Sequence, residues 1–139
     1  MRPEGRARED ATVEWVAIVI GLALLEYSVF VWLCGQARGR QGVPAPSTTG
    51  NPLYERYFRV QMNTVEQLVL FLPGMVLFGW YVSPAWAGAL GLLFIFGRAL
   101  FARGYIRDPA TRGPGFGLTL LANGILVVGG LIGALVQLL

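Results

Sequence analysis

Arg59, Asn63, Glu66 and Gln67 are separated by three or four residues, so they share one face of a helix. Glu55 and Arg56 extend this polar region a turn earlier, and an apolar run, LVLFLPGMVLFGW, follows at once. A second group, Arg98, Phe101 and Tyr105, also shares a helix face, with Arg103, Arg107 and Arg112 close behind. Arginine forks bind carboxylates bidentately. A carboxylate such as Glu66 can hold an ammonium group, and an arginine facing a thiol stabilises its thiolate. The inventory therefore suits a small zwitterionic or anionic ligand. Other chemistries are excluded by composition. The chain has no His, which removes Ser-His-Asp and Cys-His nucleophile systems and imidazole zinc sites. Its one cysteine, Cys34, allows no internal disulfide or multi-thiolate metal site and reads as a packing residue.

The elements that must carry these residues are membrane spans. Only 14% of the 139 residues are charged and 55% are apolar, against roughly 25% charged in soluble domains. The length allows one domain, residues 1–139. Net charge is only +3, and all eleven basic residues are arginines set between long apolar runs, which points to a membrane rather than to nucleic acid. A spanning helix needs about 20 mainly apolar residues. Residues 12–33, 58–81, 84–105 and 115–139 qualify, so the expected fold is an all-α, four-helix transmembrane bundle. Residues 1–10 read as a short tail rather than a signal peptide, because the apolar stretch behind them is too long and lacks a small-residue cleavage site. Residues 35–52 form the longest loop; the link at Val82-Ser83-Pro84 is short enough to make an antiparallel hairpin.

Arginine counts orient the chain. Arg2, Arg6 and Arg8 lie on one side; Arg38, Arg40, Arg56, Arg59, Arg98, Arg103, Arg107 and Arg112 lie on the other, eight against three. The positive-inside rule then puts the first and third loops in the cytoplasm and both termini outside. Glu26, in the middle of the first helix, is expected to pair with Arg98, for which Glu66 is the other available carboxylate. Pro73 is expected to kink the second helix, and Trp15, Trp32, Trp80 and Trp86 to mark interfaces. Small residues four apart, Gly129/Gly133 and Gly130/Ala134, give the fourth helix a close-approach face; Ala17/Gly21 and Ala87/Gly91 are weaker versions.

The run Glu55-Arg56-Tyr-Phe-Arg59-Val-Gln61-Met-Asn63-Thr-Val-Glu66, with the later Phe96-Gly-Arg98-Ala-Leu-Phe101-Ala-Arg103-Gly104-Tyr105, resembles the MAPEG superfamily of microsomal glutathione transferases, leukotriene C4 synthase and five-lipoxygenase-activating protein. Helix count, the Ser47-Thr48-Thr49-Gly50 loop and hairpin order extend the likeness over nearly the whole chain. Glutathione, with two carboxylates, an ammonium and a thiol, also fits the polar inventory. The resemblance implies a homotrimer with glutathione as co-substrate at each subunit interface near the cytoplasmic face. Arg38, Arg59, Gln61, Asn63, Glu66 and Tyr105 match glutathione-contacting positions, and Arg112 matches the arginine credited with stabilising the thiolate. Arg59 is absent from the non-enzymatic activating-protein branch, so its presence favours catalysis.

Three positions depart from the family pattern. Phe101 stands where a glutathione-contacting tyrosine is found, Gln67 replaces the tyrosine beside the motif glutamate, and Gly39 replaces a second arginine proposed as a proton donor in the leukotriene synthase. The resemblance thus implies a general membrane glutathione transferase, conjugating a hydrophobic electrophile or reducing a lipid hydroperoxide that enters from the bilayer, rather than a specialised leukotriene enzyme. A bacterial inner membrane suits the short chain. Two alternatives stay open: a non-catalytic, lipid-binding scaffold of the same family, and a small four-helix multidrug exporter working through Glu26.

Overall fold

The computed structural model describes residues 4–139, with side chains from position 12 onward. Arg2 and the side chains of Arg6 and Arg8, which enter the orientation count, lie outside what is described. Four long helices follow one another: α1 (Glu4–Gln41), α2 (Pro52–Tyr81), α3 (Pro84–Arg107) and α4 (Gly113–Leu138), with a 3-10 turn, Pro109–Arg112, between α3 and α4. Each of the four is long and apolar enough to cross a membrane. The expected four-helix architecture is therefore present, but several expected boundaries are too tight.

The first helix begins at Glu4, within the stretch read as a tail, and runs two turns past the expected end at residue 33. Apolar content marks where a helix enters hydrocarbon, not where its backbone stops. Here the stop is Gly42, whose φ of +64° continues no right-handed helix and suits glycine. The second helix starts at Pro52, six residues before the expected 58. Asn51 sets that start: its Oδ1 accepts from the Tyr54 N–H at 3.0 Å, with proline in the first turn. Ser83 and Pro84 start α3 in the same way, the Ser83 hydroxyl accepting from the Trp86 N–H. Asp108 and Pro109 start the 3-10 turn, Asp108 Oδ1 accepting from the Ala110 N–H at 3.0 Å. α2 continues through Pro73 as one helix.

The core lies mid-bundle, where Val19 and Ala23 of α1, Phe71 and Met75 of α2, Phe94 of α3 and Leu126 of α4 are buried together. Phe71 and Phe94 stack with centroids 3.9 Å apart. Toward the arginine-rich end a smaller cluster, Phe30, Val60, Phe101 and Ala102, joins α1, α2 and α3. The expected close-approach face of α4 is real. Side chains at Gly129, Gly130 or Gly133 would meet Phe78, Leu77 or Tyr81–Val82, all at the far end of α2 and its cap, within 2.8 Å. Gly91 likewise lies against Val19 and Met75, whereas Gly21 has nothing within 4 Å of where a Cβ would stand. Trp32, Trp80 and Trp86 are exposed on the bundle surface, and Trp15 is just so.

Candidate functional site

Building upward from α2, the polar stripe divides by task. Glu55 and Arg56 are structural. Glu55 Oε1 accepts from the Gly50 N–H at 3.0 Å, which ties the preceding loop to the helix. Arg56 Nη1 donates to the Ile106 and Arg107 carbonyls at 3.1 Å each, satisfying the last turn of α3. Four residues after Glu55, Arg59 is free to face outward. Its Nη1 stands 3.7 Å from Glu66 Oε1, with both side chains half exposed.

Arg59 and Asn63 of α2, Phe101 and Tyr105 of α3, Arg112 of the 3-10 turn and Phe116 of α4 line one cavity of about 250 Å³. Helix spacing places the first two pairs, and the turn swings Arg112 toward them. Tyr105 stacks on Phe101 at 5.5 Å, and Phe116 lies 6.3 Å from the same ring. Asn63 Oδ1 is buried without a hydrogen-bond partner among the described residues. An unpaired buried acceptor is costly, so it is a natural contact for a ligand donor. Arg112 directly precedes α4, whose first turn holds no acidic residue and whose Arg112 cap makes no side-chain hydrogen bond. The positive end of the helix dipole thus reinforces the guanidinium charge at one wall of the cavity.

Four of the seven expected residues are therefore brought together around the cavity, and Glu66 stands beside them through Arg59. Arg38 and Gln61 are not. Arg38 Nη1 donates to the Ser47 carbonyl at 2.8 Å and the Pro44 carbonyl at 3.3 Å, and Nη2 donates to the Tyr54 hydroxyl. It organises the α1–α2 loop. Gln61, two residues beyond Arg59, falls near the opposite side of α2 and does not line the cavity. Gln67, which stands where the family has a tyrosine beside the motif glutamate, accepts from Asn123 Nδ2 on α4 at 3.0 Å. Asn123 is a residue that the motifs do not point to, although an amide in the middle of so apolar a helix is a signal. Phe116 carries none, since one more aromatic in α4 looks like packing.

The expected Glu26–Arg98 ion pair is not made. Arg98 is fully buried; its Nη2 donates to Thr64 Oγ1 at 2.8 Å and its guanidinium carbon lies 4.2 Å above the Phe101 ring. Glu26 and Glu66 are within electrostatic reach, but Glu26 Oε1 keeps no hydrogen-bond partner among the described residues. Thr64, one residue from the polar stripe, supplies a closer acceptor on the face of α2 that packs against α3.

The sequence profile of the MAPEG family matches residues 16–132. The chain belongs to the MAPEG family. Relatives at full-chain scale agree. An uncharacterised protein from Synechocystis is 47% identical over 124 residues, covering 89% of this chain and 90% of that protein. Human microsomal glutathione S-transferase 2 is 39% identical over 120 residues, 86% of this chain and 80% of the transferase. Guinea-pig leukotriene C4 synthase is 34% identical over 100 residues, 72% and 67% of the two chains. With four spanning-length helices, this MAPEG chain is an integral, multi-pass membrane protein.

Proposed function

We propose that this protein is a membrane glutathione transferase in which an arginine-stabilised glutathione thiolate attacks a hydrophobic electrophile arriving from the bilayer. The observation that carries the reading is the convergence of Arg59, Asn63, Tyr105 and Arg112 on one cavity. Relatives named microsomal glutathione S-transferase 2 and leukotriene C4 synthase support the choice of glutathione. Arg59 would receive a carboxylate of the tripeptide and Glu66 its ammonium. Asn63 Oδ1 would accept a peptide N–H. Arg112, at the positive end of α4, would face the sulfur.

The step balances simply. The thiol proton passes to water, and the thiolate electron pair forms a carbon–sulfur bond. The electrophile's leaving group departs with the pair from its broken bond. Positioning alone can contribute several kcal/mol to such a bimolecular step. We propose a homotrimer because the resemblance to the family implies one; Arg38 and Gln61, which one protomer does not bring to its own cavity, would then face the cavity of a neighbouring subunit. We place the cavity at the cytoplasmic face, on the arginine asymmetry, and the protein in a bacterial inner membrane. Glu26, on which an exporter would turn, does not line the cavity.

The test is conjugation of glutathione to a chromogenic aryl halide by detergent-purified protein, beside Arg112→Ala. Wild-type turnover with at least a tenfold loss in the variant is expected; tenfold corresponds to about 1.4 kcal/mol of transition-state stabilisation. Turnover untouched by the substitution would remove Arg112 from the thiolate role. Absence of both turnover and glutathione binding would overturn the transferase reading in favour of a scaffold.

A further inference from the structure

On the opposite side of the Arg112 turn lies a second concavity of about 570 Å³, between the end of α3, the 3-10 turn and the start of α4. Leu100, Arg103, Arg107, Thr111 and Pro114 line it. Arg103 and Arg107 are one helical turn apart, so their charges repel. Both are exposed, and among the described residues neither side chain has an ion pair or hydrogen bond. The groove's carboxylate, Asp108, is already held by the Ala110 N–H of its own turn. Thr111 Oγ1 is spent on the Gly104 and Asp108 carbonyls at 3.0 and 2.8 Å. What remains is a rim of two guanidinium groups and one carboxylate, net positive, above a floor that includes Leu100 and Pro114.

Depth decides what can neutralise them. α3 has 24 residues, so it is about 36 Å long, against a hydrocarbon core of about 30 Å. The excess of about 6 Å is one helical turn, so Arg107 at the end of α3 lies at a membrane surface, and Arg103, one turn deeper, reaches the same surface by extending its long side chain; phospholipid phosphates are the nearest abundant anions there. The groove is amphipathic in the same sense as a lipid: arginines at the rim, and Leu100 a turn deeper. Basic pockets between helices at the cytoplasmic surface bind anionic headgroups.

We propose that the α3–α4 groove is a binding site for an anionic phospholipid of the adjacent leaflet, its headgroup phosphate held by Arg103 and Arg107. The 3-10 turn that walls the groove with Thr111 presents the next residue, Arg112, to the cavity on its other side. Occupation of the groove holds that turn and tightens glutathione binding; this second half rests on the function proposed above.

The experiment is native mass spectrometry of the intact purified protein with phosphatidylglycerol, with phosphatidylcholine, and with phosphatidylglycerol plus millimolar inorganic phosphate. Wild type is expected to retain phosphatidylglycerol at least tenfold more than phosphatidylcholine, with free phosphate failing to displace it. Arg103→Gln/Arg107→Gln should abolish that preference. Equal retention of the two lipids, an unchanged preference in the variant, or displacement by inorganic phosphate would each overturn the lipid site. So would a change of oligomeric state in the variant, which would make the groove a contact between copies. Glutathione titration in nanodiscs of each lipid reads the second half: several-fold tighter binding with phosphatidylglycerol, lost in the double variant, is expected. A selective lipid adduct with lipid-independent glutathione affinity would overturn the coupling alone. A lipid adduct with no glutathione binding at all would leave the lipid site standing and sink the transferase reading.

Discussion

The two ends of α4 are packed against their neighbours by the same device and to opposite purpose. At its C-terminal end, Gly129, Gly130 and Gly133 let the α2 side chains Phe78, Leu77 and Tyr81 close the bundle. At its N-terminal end, Gly115 lets the backbone of α3 come equally close, but the residues on either side of that contact, Arg112 and Phe116, turn to an open cavity. Close backbone approach at one end removes space. At the other it fixes the distance between two helices so that the space beside them keeps its shape. A membrane bundle gains little from burying apolar surface against apolar lipid, so such contacts carry a large share of its stability.

The largest expected effect comes from breaking the contact that serves the cavity. A Cβ at Gly115 would stand 2.2 Å from Phe101 N and 2.7 Å from the Gly97 carbonyl oxygen. Both are backbone atoms and cannot swing aside. Gly115→Leu should cost about 1–3 kcal/mol or more of stability and leave little monodisperse protein on size exclusion. Gly117→Ala, where nothing lies within 4 Å, is the control and should unfold at or above the wild-type temperature. Equal behaviour of the two variants would mean that the helices do not meet as described. Arg112→Ala comes next. At least tenfold of conjugating activity should go, about 1.4 kcal/mol, with the thermal unfolding midpoint unmoved, because the exposed Arg112 side chain makes no hydrogen bond or ion pair among the described residues.

The same contrast, between local pattern and tertiary contact, separates what is legible in the sequence from what is not. Four spans are legible because about 20 apolar residues in a row have few other uses. The face shared by Arg59, Asn63 and Glu66 is legible because helical periodicity is local. The partners of Arg38 and Arg98 are not, because a guanidinium takes the acceptor that the fold brings nearest. For Arg38 that is a set of loop carbonyls and the Tyr54 hydroxyl; for Arg98 it is the Thr64 hydroxyl rather than a carboxylate. Charge complementarity names Glu26, but tertiary packing decides. Boundaries fail for a simpler reason: hydropathy has no knowledge of Asn51 as a cap or of Gly42 as a stop.

Between the two ends sits the Gln67–Asn123 pair, which joins α2 to α4. Asn123 Nδ2 donates to Gln67 Oε1 at 3.0 Å and to the Gln67 carbonyl at 3.2 Å. Asn123→Ala should cost about 1 kcal/mol, the net worth of a typical buried hydrogen bond, read as a lower midpoint in a denaturant titration in detergent. Glutathione turnover should fall less than it does in Arg112→Ala. A loss of activity as large as that of Arg112→Ala would make Gln67 a ligand contact after all, as its place beside Glu66 suggests.

The smallest effect on stability belongs to Arg59 and Glu66, and it sharpens the comparison most. Their nearest atoms are 3.7 Å apart and both side chains are half exposed. Pairs of this kind are worth about 0–1 kcal/mol. A double-mutant cycle with Arg59→Gln and Glu66→Gln, read by thermal unfolding, should therefore give a coupling under about 1 kcal/mol. Read by glutathione affinity, each single variant should weaken binding several-fold, because each charge loses a ligand group rather than its neighbour. A pair so weakly committed to itself is cheap to open. A strong stability coupling would instead make it a strut, like Arg56 on the end of α3, and would leave the cavity without its carboxylate- and ammonium-binding groups.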